Sequence, residues 1–360
     1  MSRRRGLSRV LATVPLHERS GGVAAVSRLV WQSFQSRWGN DAELITLREN
    51  DDTALSFREK LRFGARVTTS QIRRARWVFF GHVGPARVQS RVPAAWQRPY
   101  GVFLHGVEAW APLSDEDRAM LRNARVRIAN SRHTARCTAE LNAGIGHIDI
   151  CPLSMSPEQE AAIAARTPAP PESREPMVLM VGRLNAAEAY KGHAEVIGAW
   201  PSVVAACPEA RLVIAGEGDD RPRLEALAQS TGVGHRIVFT GFASAAELDR
   251  LYERAALFAL PSRGEGFGIV YLEAMAHTLP CLASRHDAAG DVIVDAETGF
   301  LVSQDDRAEI ATRIVTLLEN PGLRGRMGRA GLARVHTQFS FAQFSRGLIE
   351  LLDARLERSA

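Results

Sequence analysis

Residues 257–276 read LFALPSRGEGFGIVYLEAMA and contain the pattern that decides the fold. The four apolar residues 257–260 predict a buried strand, a glycine-rich turn follows, and the apolar run 269–276 predicts a helix. A strand that passes through such a turn into a helix is typical of parallel α/β sheets, whose ligands bind at the carboxyl ends of the strands. The backbone N–H groups of residues 265–268 are therefore predicted to hold an anion or sugar hydroxyls.

The same alternation of strand and helix patterns extends over the rest of the chain. Candidate strands of the first half are residues 9–13, 44–47, 77–80, 101–104 and 126–129, and those of the second half are 177–181, 211–215, 236–239, 257–260 and 280–283. Residues 167–176 (TPAPPESREP) contain four prolines and predict an exposed linker. We therefore expect an α/β chain of two Rossmann-like, doubly wound domains facing each other across a cleft. The predicted domains are residues 1–166 and 177–338, and residues 339–360 form a C-terminal helix.

Composition excludes several classes of protein. The 360 residues are 46% hydrophobic and 24% charged, which is ordinary for globular domains and excludes disordered and fibrous chains. No apolar run approaches the ~18–20 residues of a membrane span. Arg3, Arg4 and Arg5 are not followed by an apolar core, so we expect no signal peptide. The four cysteines are scattered, which argues against a disulfide framework and fits the cytoplasm.

Charge is distributed unevenly along the chain. Residues 1–150 have a net charge of +11 and residues 151–360 a net charge of −6, which together give +5. A basic half joined to an acidic half indicates two domains with different roles. The basic half is expected to face an anionic partner. It shows no nucleic-acid recognition motif, so we exclude nucleic acid.

Two carboxylates in the decisive stretch are candidate ligand groups. Glu265 and Glu273 are eight residues apart, so on one helix they would point to similar sides about 12 Å apart. A carboxylate can accept hydrogen bonds from both hydroxyls of a vicinal diol. The alternative is a capped amphipathic helix with Glu273 as a surface charge.

A second motif, VGRLNAAEAYKG at residues 181–192, also runs from a strand through a loop to a helix. Arg183 follows the strand, and Lys191, one of only two lysines in the chain, precedes the helix. Both are suited to neutralising a diphosphate. The alternative is a solvated pair of positive charges.

In the first half, His105 directly follows a strand in GVFLHGVEAW, and Gly21 and Gly22 open a helix after the first strand. A structural histidine and an ordinary turn are the alternatives. Asp115, Glu116 and Asp117 form a D-x-D pattern, but after Ser114 they predict a capped helix start. The histidines show no metal-binding spacing, so we expect no metal.

Together, PSRGEGFGIVYLEAMA, VGRL…YKG, RLVIAGEGDDRPRLEALA and VFTGFAS resemble the retaining, nucleotide-sugar-dependent glycosyltransferases of GT-B fold called glycosyltransferase family 4. The likeness covers the second half closely and the first half loosely, through SGGV, FLHGVEAW and IANSRHTA. It implies an N-terminal acceptor-binding domain and a C-terminal donor-binding domain. The final helix is expected to cross back to the first domain.

The resemblance also implies roles for particular residues. Arg183 and Lys191 are expected to hold the donor pyrophosphate, and Glu265, with the backbone of Gly266, Phe267 and Gly268, to position the donor sugar. Glu273 would accept from the ribose hydroxyls, Gly21 and Gly22 would approach the phosphates, and His105 would lie beside the transferred sugar. The expected catalytic group is therefore His105, Arg183, Lys191 and Glu265. The chain departs from the family pattern at Thr278, where glycine is common, and at Asp291, near a usual glutamate.

The expected activity is metal-independent and cofactor-free transfer of a hexose, with mannose from GDP-mannose as the first choice. This choice of donor rests on a general likeness to bacterial envelope mannosyltransferases. The basic charge of the first half predicts a cell-envelope, polysaccharide or lipid-linked glycan as the acceptor. Residues 57–76 and a helix carrying Trp31 and Trp38 suit an anionic bilayer surface, which predicts a peripheral enzyme on the inner face of the cytoplasmic membrane.

Four alternatives remain. They are a UDP-sugar-dependent enzyme with a soluble acceptor, a soluble enzyme whose arginines are merely solvated, an inactive sugar-nucleotide-binding scaffold, and a sugar phosphorylase. The last needs a lysine bound to pyridoxal phosphate, a role that suits neither Lys60 nor Lys191.

Overall fold

A computed structural model of the chain describes residues 7–16, 21–48 and 55–358. The chain divides into two compact units, of which the first comprises residues 1–154 and 341–360 and the second residues 155–340. Arg3, Arg4 and Arg5, which entered the expectation about a signal peptide, lie outside the described residues. No helix among the described residues is long and apolar enough to span a bilayer.

Short strands with buried side chains make up one layer of each unit. They are β1 (Ser8–Thr13), β2 (Ala42–Thr46), β3 (Ala75–Phe80), β4 (Tyr100–Leu104), β5 (Val126–Ala129), β6 (Asp149–Ile150), β7 (Met177–Val181), β8 (Arg211–Ala215), β9 (Ile237–Gly241), β10 (Leu257–Leu260), β11 (Cys281–Ser284) and β12 (Gly299–Val302).

Helices cover these strands. They are α1 (Gly21–Trp38), α2 (Phe57–Arg73), α3 (Val83–Ala86), α4 (Asp115–Asn123), α5 (Arg132–Leu141), α6 (Pro157–Ala164), α7 (His193–Ala206), α8 (Arg221–Ser230), α9 (Ala245–Arg254), α10 (Ile269–Ala276), α11 (Ala289–Val292), α12 (Arg307–Glu319), α13 (Pro321–Gln338) and α14 (Phe341–Leu352).

Both sheets are parallel. The strand order is β2-β1-β3-β4-β5-β6 in the first and β12-β11-β10-β7-β8-β9 in the second. Strands such as β4 and β10 are buried along their whole length, because helices cover both faces of a parallel sheet. The order reverses between β1 and β3 and between β7 and β10, so each sheet has one switch point at which ligands bind in such folds. The prediction of a two-domain α/β chain is confirmed.

The structure divides the chain earlier than the predicted boundary at residue 166. Helix α6 belongs to the second unit, where Gln159 donates a hydrogen bond to Glu273 and Arg166 pairs with Asp249. The proline-rich segment is held against this unit as well, because the buried guanidinium of Arg174 donates to the carbonyl oxygens of Tyr252 and Ala255. The segment predicted to be an exposed linker is therefore partly buried.

Arg174 also explains the departure at Thr278. Thr278 has a φ of 57°, a left-handed conformation that favours glycine. Its Oγ1 accepts a hydrogen bond of 2.9 Å from Arg174 Nη2 and donates one of 2.7 Å to the carbonyl of His277. These bonds hold the threonine in a backbone conformation that glycine adopts more easily.

The C-terminal segment belongs to the first unit. Helix α14 is followed by a short π-helical stretch, Asp353–Glu357. There, the carboxylate of Glu357 pairs with Arg9 of β1 and accepts a hydrogen bond of 2.8 Å from Trp77 Nε1 of β3. The segment that follows α14 therefore contacts strands β1 and β3 of the first sheet.

Candidate active site

Two loops meet at the switch point of the second sheet. One loop follows β7 and ends in the 3₁₀ segment Ala186–Lys191, and the other follows β10 and comprises residues 261–268. The backbone N–H of Arg263 donates a hydrogen bond of 2.9 Å to the carbonyl of Tyr190, which ties the loops together. These loops carry the two motifs that the sequence analysis placed at one ligand site.

Helix α10 begins at Ile269, so Glu265 lies in the loop before it. The prediction that Glu265 and Glu273 lie on one helix was wrong, because Gly268 has a φ of 87° and ends the loop in a left-handed turn. A Cβ at Gly268 would lie 2.4 Å from the ring of Tyr271, so no larger residue fits. Glu265 is therefore placed by the loop.

Glu265 and Lys191 are brought into direct contact. Lys191 Nζ donates a hydrogen bond of 2.9 Å to Glu265 Oε1, and both side chains are mostly buried. Burial opposes the charge of Lys191, but the carboxylates of Glu265 and Glu188 outweigh it, so the pKa of Lys191 is raised. Lys191 is thus a permanent cation at the carboxyl ends of β7 and β10.

Glu188 was not singled out in the sequence, yet it joins the two predicted cations. Its Oε1 pairs with Arg183 Nη2, and its Oε2 lies 3.7 Å from Lys191 Nζ. We call Arg183, Glu188, Lys191 and Glu265 the charge cluster. It contains two cations and two carboxylates. The three-residue spacing from Lys191 was the only sequence signal for Glu188, and it applies only in a helical turn.

Asp287, in the loop after β11, supports Glu265 and was also missed. Its Oδ2 accepts a hydrogen bond of 3.0 Å from the backbone N–H of Glu265, and its Oδ1 one of 3.0 Å from that of Ala289. Burial raises the pKa of Asp287 to about 7, although these N–H groups oppose the shift. Asp287 therefore ties the loop after β11 to the loop that carries Glu265, whereas Asp291 lies further on, in α11.

The predicted nest of N–H groups is smaller than expected. The Glu265 N–H is already used by Asp287. Phe267 is buried and packs edge-on against Phe339, with ring centroids 5.7 Å apart, so only its backbone can reach a ligand. Gly266 and Gly268 flank it in the loop. The N–H of Glu265 is therefore not available to the predicted anion site.

Glu273 is held by residues of α6 and α9, which are not part of the charge cluster. Its Oε1 accepts a hydrogen bond of 3.1 Å from Gln159 Nε2 of α6, and its Oε2 one of 3.2 Å from the hydroxyl of Tyr252 in α9. Burial raises the pKa of Glu273, although these two hydrogen bonds act to lower it. Among the described residues, no hydrogen bond or ion pair connects it with Glu265. Glu273 is thus a partly buried acceptor with two hydrogen-bond donors and not the surface charge of the alternative interpretation.

In the first unit, His105 is buried directly after β4. Its Nε2 lies 2.6 Å from the carbonyl oxygen of Gly81, which places the ring proton on Nε2 and leaves Nδ1 as an acceptor. The ring stacks on His82 at 5.4 Å between centroids. Burial lowers the pKa of His105, so its imidazole is neutral at pH 7.

Two other predictions concern helix starts in this unit. Helix α1 begins at Gly21, whose φ is 76°, and a Cβ at Gly22 would meet no atom within 4 Å. Residues 17–20, which precede it, lie outside the described residues. The capping prediction for the D-x-D pattern is confirmed, since Ser114 accepts from the N–H of Asp117 and the Asp117 carboxylate binds Arg87. Across the described ranges, no three His, Cys, Asp or Glu side chains are grouped to hold a metal ion.

The second unit is similar to known proteins. Residues 164–334 match the family model described as "Glycosyl transferases group 1". The chain is 33% identical over 171 residues to a GDP-mannose-dependent monoacylated alpha-(1-6)-phosphatidylinositol monomannoside mannosyltransferase of Corynebacterium glutamicum, a match covering 46% of this chain and 44% of that protein. The chain thus spans less than half the length of the curated relatives that it matches first.

Solved structures share the whole fold. Sucrose-phosphate synthase from Thermosynechococcus elongatus superposes with a TM-score of 0.78 at 18% identity, covering 98% of this chain and 100% of that one. Anabaena HepE in complex with UDP gives a TM-score of 0.73 at 17% identity, covering 97% and 100%. The chain therefore has the α/β GT-B fold, and residues 164–334 of its second unit are similar to the glycosyl transferases group 1 family.

Proposed function

We propose that the chain is a retaining glycosyltransferase that transfers a hexose from a nucleoside diphosphate sugar to a glycan acceptor. The contact of Lys191 with Glu265 carries the proposal, because it joins the cation suited to a diphosphate to the carboxylate suited to sugar hydroxyls. The family match of residues 164–334 supports the same activity.

The charge cluster suggests how the reaction proceeds. When the anomeric C–O bond breaks, negative charge builds on the leaving diphosphate, and Arg183 and Lys191 stabilise it. Preorganised charge of this kind is usually the largest catalytic contribution. The acceptor oxygen forms the new bond on the same face, and its proton passes to the leaving phosphate, which retains the anomeric configuration. With two cations supplied by the protein, this route needs no divalent ion.

For the donor, GDP-mannose remains the first choice. The Corynebacterium relative is named as a GDP-mannose-dependent mannosyltransferase, which supports a mannosyl donor here. The likeness to HepE, solved with UDP, favours a UDP-sugar as the second candidate. Either nucleotide presents the same diphosphate to Lys191 and Arg183.

The proposed acceptor is a lipid-linked or envelope glycan at the inner face of the cytoplasmic membrane. Helix α2 supports membrane contact, because Phe57 is 74% and Leu61 57% exposed beside exposed basic side chains at 58, 60, 62 and 66. An exposed apolar and basic helix suits an anionic bilayer surface. Trp38 does not contribute as expected, because its ring packs edge-on against Phe34 and Trp77.

A thermal-shift screen against nucleoside diphosphate sugars, with and without EDTA, tests the donor. A ligand at 100 times its Kd adds about 2.7 kcal/mol of stability, a shift of several degrees. We expect GDP-mannose to give the largest shift, unchanged by EDTA. A shift without sugar transfer to any acceptor would favour the inactive scaffold, and no shift with any nucleotide sugar would refute the proposal.

Flotation with liposomes tests the membrane surface separately. Binding is expected to rise with anionic lipid and to weaken when Phe57 and Leu61 are replaced by serine. No flotation with either neutral or anionic vesicles would instead favour a soluble enzyme with solvated arginines.

A further inference from the structure

Glu188 occupies the space between the two cations that the proposed function assigns to the diphosphate. One carboxylate oxygen pairs with the guanidinium of Arg183, and the other faces the ammonium of Lys191 at 3.7 Å. The two cations therefore already share an anion that belongs to the protein.

The Glu188 carboxylate does not use all of its hydrogen-bonding capacity among the described residues. The Glu188 side chain is only 12% exposed, and its Oε2 is buried without a hydrogen-bond donor among the described residues. A buried carboxylate oxygen that lacks a donor is costly. Lys191 directs its hydrogen bond to Glu265 at 2.9 Å instead. Glu188 is thus held mainly by charge, in a position that a better acceptor could take.

The backbone places Glu188 there through an irregular turn. Within the 3₁₀ segment Ala186–Lys191, Glu188 has φ −112° and ψ 23°, which interrupts the helical geometry. The segment is anchored at its start, where the N–H of Ala186 donates a hydrogen bond of 2.8 Å to Asp219. The side chain can therefore leave the cations while the anchored backbone stays in place.

We propose that Glu188 is an internal competitor for the diphosphate site, which the incoming donor must displace from Arg183 and Lys191. The inference rests on the proposed function, because it needs these two cations to bind the diphosphate. Phosphate oxygens carry more negative charge than one carboxylate and can accept from both cations at once, so displacement is favourable. When the nucleoside diphosphate leaves, Glu188 returns and neutralises the cations. Glu188 thereby weakens donor binding and speeds product release.

A positioning role makes the opposite prediction. If Glu188 served to aim Arg183 at the diphosphate, removing its charge would weaken nucleotide binding. If Glu188 competes, removing its charge strengthens binding. The sign of the change in affinity therefore distinguishes the two roles.

The test is calorimetric titration of the full chain and of Glu188→Gln with GDP, UDP and inorganic pyrophosphate. We expect Glu188→Gln to bind its nucleotide about tenfold more tightly, which corresponds to ~1.4 kcal/mol. The gain should extend to pyrophosphate and should shrink at high salt, because it arises from charge. Glu225→Gln is the matched control, since that carboxylate pairs with Arg221 on helix α8.

A kinetic readout accompanies the titration. Glu188→Gln is expected to be inhibited more strongly by its nucleoside diphosphate product, and kcat is expected to fall if product release limits turnover. Glu188→Ala provides a second variant that cannot keep a hydrogen bond to Arg183, and thermal unfolding confirms that both variants fold.

The outcomes separate the inference from the proposed function. Unchanged or weaker binding in both Glu188 variants would overturn the inference while the proposed function stands. Binding that appears only in the variants would support it. If neither the wild-type chain nor any variant binds the three probes, the proposed function and the inference both fail.

Discussion

Replacing Lys191 by methionine tests the charge cluster most directly. The Lys191 side chain is 14% exposed, and its ammonium donates to Glu265 at 2.9 Å and lies 3.7 Å from Glu188. Methionine fills a similar volume but leaves two mostly buried carboxylates without this cation. Breaking a buried ion pair costs about 3–5 kcal/mol, and partial exposure reduces the expected loss of stability to about 2–3 kcal/mol. For a domain of this size, that lowers Tm by roughly 5–10 °C.

The same substitution is expected to slow sugar transfer by about 10²–10³, because it removes one preorganised charge from the leaving group. Adding Glu188→Gln to Lys191→Met should restore part of the stability, since one stranded carboxylate is gone, but should not restore transfer. Thermal unfolding and initial transfer rates measure the two effects. Arg211→Met is the control, because Arg211 is an exposed cation at the start of β8, away from the carboxyl ends of the strands where the charge cluster lies. Wild-type transfer by Lys191→Met would refute the assignment of the diphosphate site.

Three further substitutions test a backbone conformation, a buried histidine and an ion pair. Ala296 has a φ of 60° in an exposed turn, so Ala296→Gly should raise stability by about 0.5–1 kcal/mol in thermal unfolding, and a lower Tm would contradict strain there. Burial, helped by Lys191, lowers the pKa of His193 to about 4, so the unfolded chain binds a proton first and stability falls as pH drops below about 6.5. Between pH 7 and pH 5, the free energy of unfolding of His193→Leu should fall by about 2 kcal/mol less than that of the wild-type chain. If urea unfolding gives the same pH dependence for both proteins, His193 is not the group responsible. Glu357→Gln should destabilise the first unit by about 1–3 kcal/mol, because Arg9 and Trp77 lose a charged acceptor, and equal urea midpoints would show that this contact contributes little.

Strand and helix patterns predicted much of the fold, because buried parallel strands are short apolar runs. Strands β7, β8 and β10 lie at their predicted residues. Strand β6 has only two residues and β12 contains glycine at its start, so neither produced a sufficient apolar run. Helix α6 has no buried residue and no apolar face, so its sequence does not show which unit it joins.

The site was predicted where residue type alone indicates chemistry, as for Lys191 and Glu265. The spacing of Glu265 and Glu273 was treated as helical because the sequence pattern does not reveal that Gly268 adopts a left-handed turn. Glu188 and Asp287 were missed for a related reason. Their importance depends on which cation or N–H group an irregular loop brings to them, and no periodic pattern encodes such a contact.

The contact of Glu357 with Arg9 has a consequence for the order of folding during synthesis. Because residues 341–358 belong to the first unit, that unit encloses the whole of the second in the sequence. At ~5–20 residues per second, the roughly 200 residues between Ser154 and Glu357 take on the order of 10–40 s to emerge from the ribosome. During that time the second unit can fold completely, while the β1 and β3 side chains that receive Glu357 remain uncovered. We therefore expect the incomplete first unit to be the part of the nascent chain that is prone to aggregation while the second unit is being synthesised.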